Sequence, residues 1–309
     1  MNAKKTYFQL ADISVVDVTG VDRATIVHNL TTNEVKSLEL NEGRESFVTD
    51  VRGKTLGHVC VFNEHDRLRM IGPGPSEHSA VLIGHLDRYT ILEDATPAVR
   101  DDDYTAFLLP ENSATELGLE VGRGTRLLRT EFQFAEKLAD AYGANWLGEG
   151  TAILLVAKAD AEAVAAQLQS KGIERCDEDE FHRQRIRVGF PWYGQDMNDT
   201  NLPQEADRDA LAVSFTKGCY LGQETVARLD ALGQVQKKLV RWSIADAVPA
   251  VDTALDCDGK KVGRLTSVAA VEEGAIAIGF ARRSHFESGA TAMGSTESGN
   301  QSFTATVLE

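Results

Sequence analysis

Over the first 238 residues, strand-like apolar stretches alternate with stretches at helical spacing, and no low-complexity linker separates them. Residues 13–16 predict a strand and 22–30 a short helix. Residues 47–49 and 55–62 predict a hairpin turning at Arg52-Gly53, with His58 and Cys60 on alternate sites of one face. A third strand over 68–71 stops at Gly72-Pro73-Gly74-Pro75. Residues 76–86 have the spacing of an amphipathic helix, with Ala80, Val81, Ile83 and Leu86 on one side. A buried strand over 152–157 leads to Asp160, which suits the N-cap of a helix ending near Lys171-Gly172. Beyond Leu239 the helical period disappears. Strand-like pieces at 240–244, 261–263, 275–279 and 304–307, parted by turn signals such as Asp258-Gly259, predict a small antiparallel barrel. The pattern thus gives an α+β region over 1–238 and an all-β domain over 239–309.

Composition adds mainly exclusions. The 309 residues exceed what one core usually serves, which agrees with several packed units. With 47 acidic against 32 basic residues the formal charge is −15, so direct nucleic-acid binding is not expected. The alternating Arg183, Arg185 and Arg187 are a local exception, either a hold for a small anion or a solvated face. Cys60, Cys176, Cys219 and Cys257 lie far apart without a C-x-x-C, so neither a disulfide framework nor a zinc or iron–sulfur site is indicated. No segment approaches the ~18 apolar residues of a membrane span and none resembles a signal peptide. A cytoplasmic protein with no membrane partner is expected. P-loop, H-E-x-x-H and G-x-S-x-G patterns are all missing.

The richest chemistry lies in Lys217-Gly218-Cys219-Tyr220-Leu221-Gly222-Gln223-Glu224. A thiol reacts as thiolate, and a nearby ammonium or a helix N-terminus favours that form. Lys217 stands two residues away, and residues 225–232 predict a short helix closed by Gly233. Gly218 and Gly222 permit tight turns. The competing reading is an inert, buried cysteine. Lys217, Gln223, Glu224 and Arg228 are poor core material, which favours a functional loop with Cys219 and Lys217 as the catalytic candidates.

This octapeptide resembles the K-G-C-Y-x-G-Q-E signature of the YgfZ-type folate-binding proteins, which share their fold with the glycine-cleavage aminomethyltransferase and include a mitochondrial iron–sulfur assembly relative. Three upstream pieces, Arg185 to Pro191, Gly194 to Met197 and Leu202 to Ala206, are similar to the family's R-x-x-x-G-x-P, G-x-D-M and P-x-E-A elements, in the same order. Val18 to Asp22 and Asn29 to Val35 are similar to its opening V-x-G-x-D and L-T-T-N-D-V. The resemblance spans about residues 13 to 240. It implies an aminomethyltransferase-type folate-binding fold of two intertwined α+β subdomains, one ferredoxin-like, followed by the barrel, with a reduced folate such as tetrahydrofolate in the central opening. Carried over residue by residue, it makes Arg187, Tyr193, Glu205, Tyr220, Gln223, Glu224 and Arg228 the cofactor-binding candidates.

Two departures qualify what the resemblance implies. Gly57 and His58 stand where the aminomethyltransferase carries acidic residues, so its carboxylate is missing, and His58 is either a substitute base or a structural residue. Arg187 stands where many relatives have the glutamate that accepts from the pterin ring; arginine only donates, so the pterin edge needs another acceptor, with Glu205 and Glu224 the candidates, or the ligand differs, or folate binding is lost. The favoured function is a folate-binding accessory protein that supports iron–sulfur clusters in client enzymes, or partners cluster-assembly proteins, through a reactive Cys219. The alternative is a tetrahydrofolate-dependent aminomethyl or methyl transferase using His58.

Overall fold

Among the described residues, 4–75, 77–233, 235–296 and 301–309 of the computed structural model, the chain builds one twelve-stranded sheet and one closed barrel. The sheet region runs β1 (Thr6–Leu10), β2 (Ile13–Thr19), α1 (Arg23–Leu30), β3 (Glu42–Thr49), β4 (Thr55–Asn63), β5 (Arg67–Pro73), α2 (His78–Tyr89) and β6 (Thr96–Val99). It continues through β7 (Tyr104–Leu109), α3 (Glu111–Glu116), β8 (Gly122–Arg123), β9 (Arg126–Phe134), β10 (Lys137–Ala144), β11 (Thr151–Ala157), α4 (Ala161–Ser170) and β12 (Glu174–Cys176). Helices α5 (Glu178–Val188), α6 (Asp209–Ala212) and α7 (Gln223–Leu232) lead to the barrel strands β13 (Lys237–Ile244), β14 (Ala254–Cys257), β15 (Lys260–Val271), β16 (Gly274–Arg282), β17 (Thr291–Ser295) and β18 (Ser302–Val307).

The strand order is β12-β1-β7-β11-β10-β9-β3-β4-β5-β2-β6, with β8 on β9. Within it the ferredoxin-like βαββαβ order occurs twice. Strands β2, β4, β5 and β6, with α1 and α2, form one unit; β7, β10, β11 and β12, with α3 and α4, form the other. Strand β1 inserts between β7 and parallel β12, so the N-terminus completes the second unit while the next strand starts the first. The units meet where β3 pairs with β9 over only two residue pairs, Glu42 with Leu128 and Gly43 with Leu127. A buried polar network reinforces that seam: Arg69 donates twice to Asp17 at 2.7 and 2.8 Å and once to the Tyr142 hydroxyl at 2.9 Å, which donates to Glu64 at 2.8 Å.

The barrel closes in the order β13-β16-β15-β14-β17-β18 around Trp242, Leu255, Leu265, Ala277, Phe303 and Ala305. It docks through Ile186 of α5 against Leu239, Ile278 and Phe280. Beside that contact Arg185, fully buried, donates to Asp196 at 2.7 Å and to Ser267 at 2.7 Å; Asp196 also accepts from Thr266 and Ser267 at 2.6 Å. The middle arginine of the alternating trio is therefore neither an anion hold nor a solvated side chain, but the bolt between α5, the 190–197 loop and the barrel.

Two local expectations change, and one helix, α5, has no counterpart among them. The α5 helix, which has no apolar stripe, forms because the Asp177 side chain accepts from the Glu180 amide, three acids fill its first turn, and Gly189 ends it in the left-handed region. Helix α2 buries His78, Ser79, Leu82, His85 and Leu86, leaving Val81 exposed, so its inner face is shifted from the purely apolar one. Asp160 precedes α4 without capping it; its carboxylate pairs with Lys137 instead.

Arg185→Met should destabilise the protein by about 3–5 kcal/mol in urea unfolding, because Asp196 stays buried without its cation. A loss under 1 kcal/mol would show that the barrel is held by apolar contact alone.

Candidate functional site

The signature loop is fastened on three sides. Lys217, buried, donates its three N–H groups to the carbonyl oxygens of His28, Thr31 and Asn33 at 2.7, 2.7 and 2.8 Å, and its Nζ lies 4.9 Å from the Tyr220 ring centroid. Burial pulls its pKa below the ordinary lysine value, while the three acceptors make the ammonium the better-bonded form. The Ser214 amide donates to Thr32, the Leu221 amide to Asn29, and the Thr49 hydroxyl to Leu221. Asn33 Nδ2 and Thr32 Oγ1 donate to the Leu211 and Ala212 carbonyls. The N-terminal Asn29 to Asn33 segment is thus the scaffold of the octapeptide.

For Lys217 the geometry adds a structural role. All three of its protons are committed to carbonyls, so none remains for the Cys219 sulfur. Cys219 itself is exposed. Of the two glycines, Gly222 carries the conformational demand: its φ is +81°, and a Cβ there would stand 2.4 Å from the Asp50 oxygen and 2.6 Å from the Gly53 Cα. Gly218 is outside the left-handed region and would meet nothing closer than His28 at 3.9 Å.

Tyr193 and Tyr220 share an apolar cluster with Phe47, Met197, Ala206 and Val226. The Tyr193 hydroxyl donates to the Thr55 carbonyl at 3.1 Å, and its ring packs 4.4 Å from that of His78. Burial raises the pKa of both phenols. Val226 belongs to α7, which carries half-buried Gln223 and exposed Glu224 and Arg228. Glu205, buried nearby, accepts from Asn201 at 2.7 Å and pairs with Lys237 at 3.3 Å. Arg187 stands apart: it is exposed at the end of α5, its carbonyl accepts from Arg241, and its side chain makes no ion pair among the described residues. A cleft of about 930 Å³ opens beside Tyr193, lined also by Phe181, Trp192, Gln195 and Cys176.

His58 is walled in. It is 1% exposed, stacked between Phe47 at 4.7 Å and Phe190 at 5.2 Å, and its Nε2 donates to Glu45 at 2.8 Å. Burial lowers its pKa, against the pull of the Glu45 carboxylate. Glu45 accepts a two-pronged guanidinium contact from Arg208, which holds its carboxyl far below the usual range despite full burial, and Arg208 lies 5.0 Å over the Phe190 ring. The Glu45–Arg208 pair was not anticipated from sequence; its members are 163 residues apart and neither lies in a motif.

Two ferredoxin-like units joined edge to edge and followed by a barrel define the aminomethyltransferase fold. The chain superimposes on the crystal structure of glycine cleavage system aminomethyltransferase T from Bartonella henselae with a TM-score of 0.83, over 99% of this chain and 86% of that one, at 14% identity. No protein-family model matches the chain. It is 24% identical over 278 residues to the tRNA-modifying protein YgfZ of Sodalis glossinidius (88% of this chain, 83% of that one), and 28% identical over 282 residues to the tRNA-modifying protein YgfZ of Hamiltonella defensa (85% and 77%). The chain has the aminomethyltransferase fold and is similar in sequence to YgfZ proteins along most of its length.

Two measurements follow from the site. Lys217→Met, which leaves three carbonyls without their donor, should cost about 2–4 kcal/mol and open residues 214–222 to limited proteolysis; unchanged stability and protection would refute the fastening role. His78, 5% exposed, has no acceptor for its Nε2 among the described residues, and burial lowers its pKa to about 4. Its contribution is complete above about pH 6.5 and is lost as pH falls toward 4, at about 1.4 kcal/mol per unit. His78→Phe should flatten the stability profile by that slope between pH 6.5 and 4, and an unaltered profile would contradict the burial effect.

Proposed function

We propose that this protein is a folate-binding accessory factor of the YgfZ type that supports iron–sulfur enzymes through Cys219 and does not turn over a one-carbon unit. One contrast carries this reading: an exposed thiol sits on a loop whose neighbours are fastened to the core, while the position of the transferase carboxylate holds an encased histidine. His58 is 1% exposed and its Nε2 is spent on Glu45, so the residue expected to replace the missing base is sealed from substrate.

The residues fit a folate in part. Tyr193 and Tyr220 supply an aromatic wall, Arg228 matches a glutamate carboxylate, and Glu224, exposed in the first turn of α7, is the carboxylate free to accept from a pterin edge. Glu205 is the weaker candidate, because Asn201 and Lys237 already occupy one of its oxygens. Arg187 offers no acceptor. The one-carbon end of the transferase pocket does not fit, and no transfer step is assigned.

The role is one of contact with client proteins. A single thiol offers one bond to a cluster, and among the described residues no group of three or more His, Cys, Asp or Glu is placed to hold a metal ion. The relatives are named tRNA-modifying proteins. With a formal charge of −15, this chain suits an indirect part in such modification, through a protein client, better than a grip on RNA. No helix among the described residues is long and apolar enough to cross a membrane.

In a strain lacking the gene, the wild-type chain and His58→Gln should restore iron–sulfur enzyme activity and Cys219→Ser should not. Rescue by Cys219→Ser would remove the thiol from the function, and stoichiometric one-carbon transfer to tetrahydrofolate that disappears in His58→Gln would establish the transferase instead. In calorimetry with tetrahydrofolate, Glu224→Gln should weaken binding about 30- to 1000-fold, for about 2–4 kcal/mol of charge-assisted hydrogen bonding, while Arg187→Glu should leave it unchanged or tighter. Loss of binding in Arg187→Glu would mean that the arginine itself meets the ligand.

A further inference from the structure

One face of the barrel reverses the sign of the whole molecule. A groove of about 550 Å³ runs across the ends of β13, β15 and β16, bounded by Lys237, Lys261, Arg264, Arg282 and Arg283, with Phe280 in its lining. Lys237 and Arg282 are directly opposed in register across β13 and β16, where like charges repel. Only two of the five cations have acidic partners among the described residues: Lys237 pairs with Glu205, and Arg264 with Asp252. Lys261, Arg282 and Arg283 are exposed and pair with no carboxylate among the described residues.

In a chain of formal charge −15, three uncompensated cations and a repelling cross-strand pair in one groove are a local cost that burial does not repay. The floor is apolar: Phe280 is 7% and Val262 6% exposed, and the Lys237 ammonium lies 4.5 Å from the Phe280 ring centroid. The groove is small-molecule sized. The negative field of the rest of the surface opposes an extended polyanion such as RNA, whose charges would run beyond the groove, more than a compact one. We propose that this groove binds a compact multivalent anion, a small molecule bearing two or more phosphate or carboxylate groups beside an apolar portion. The site is separate from the signature loop and does not depend on the folate reading.

The test is calorimetry on the full chain with sodium tripolyphosphate, tri-glutamate and a short single-stranded RNA, in low salt and at about 0.3 M, where screening is strong. Saturable binding of tripolyphosphate or of tri-glutamate is expected, and the better probe identifies the source of the anionic groups. Affinity should fall about tenfold or more with salt, and again about tenfold or more in each of Arg282→Glu and Lys261→Glu. Arg282→Glu places a carboxylate opposite Lys237, so its melting temperature should hold or rise while binding is lost, which separates a ligand site from a folding defect. No saturable binding of either small anion, equal affinity in the variants, or tighter binding of RNA than of both small anions would overturn the proposal.

Discussion

One ammonium decides where the signature loop sits. By donating to three carbonyls at the end of α1 and in the following turn, Lys217 joins two stretches of chain 184 to 189 residues apart. Everything the loop presents inherits its position from that joint: the exposed thiol two residues on, the buried Tyr220 ring beneath the cation, and the start of α7. The cost of burying a charge is met by carbonyls rather than by a carboxylate, which fixes direction as well as distance. The loop is therefore a product of the first ferredoxin-like unit, not a free appendage that carries its own chemistry.

Much of this was legible in the sequence where local periodicity and core packing agree. The strands at β2, β4 and β11, the helix α7 and the barrel all have patterns that tertiary structure had no reason to override. Helix α5 was not visible, because among its eleven residues only Phe181, Arg185 and Ile186 are buried and one of these is a cation. Helix α2 was visible, but its face was displaced by buried histidines that an apolar count ignores. The duplicated ferredoxin-like order left no repeat in the residues, since strand order is a long-range property.

The site divided along the same line. Motifs brought together by the fold, from Asn29 through Tyr193 to Tyr220, could be named in order from the chain. The directions of side chains could not. The two-residue step from Lys217 to Cys219 said nothing about where the ammonium points, and the alternation of Arg185 with Arg187 hid that one is a core bolt and the other a solvent-facing end. The encasement of His58 depends on Phe190 and on a carboxylate–guanidinium pair drawn from distant segments, so the choice between base and structural residue needed three dimensions.

The contact between Gly222 and Gly53 has a bearing on descent. Each is the reason the other lacks a side chain: a Cβ on Gly222 meets the Gly53 backbone at 2.6 Å, and a Cβ on Gly53 meets the Gly222 oxygen and the Thr225 Cβ at 3.0 Å. Selection therefore sees the pair as one character carried by two codons. A lineage that lengthens or thickens the β3–β4 turn must also give up the flat entry to α7, so the octapeptide can be retained for the shape of a turn it touches even where its thiol has fallen out of use.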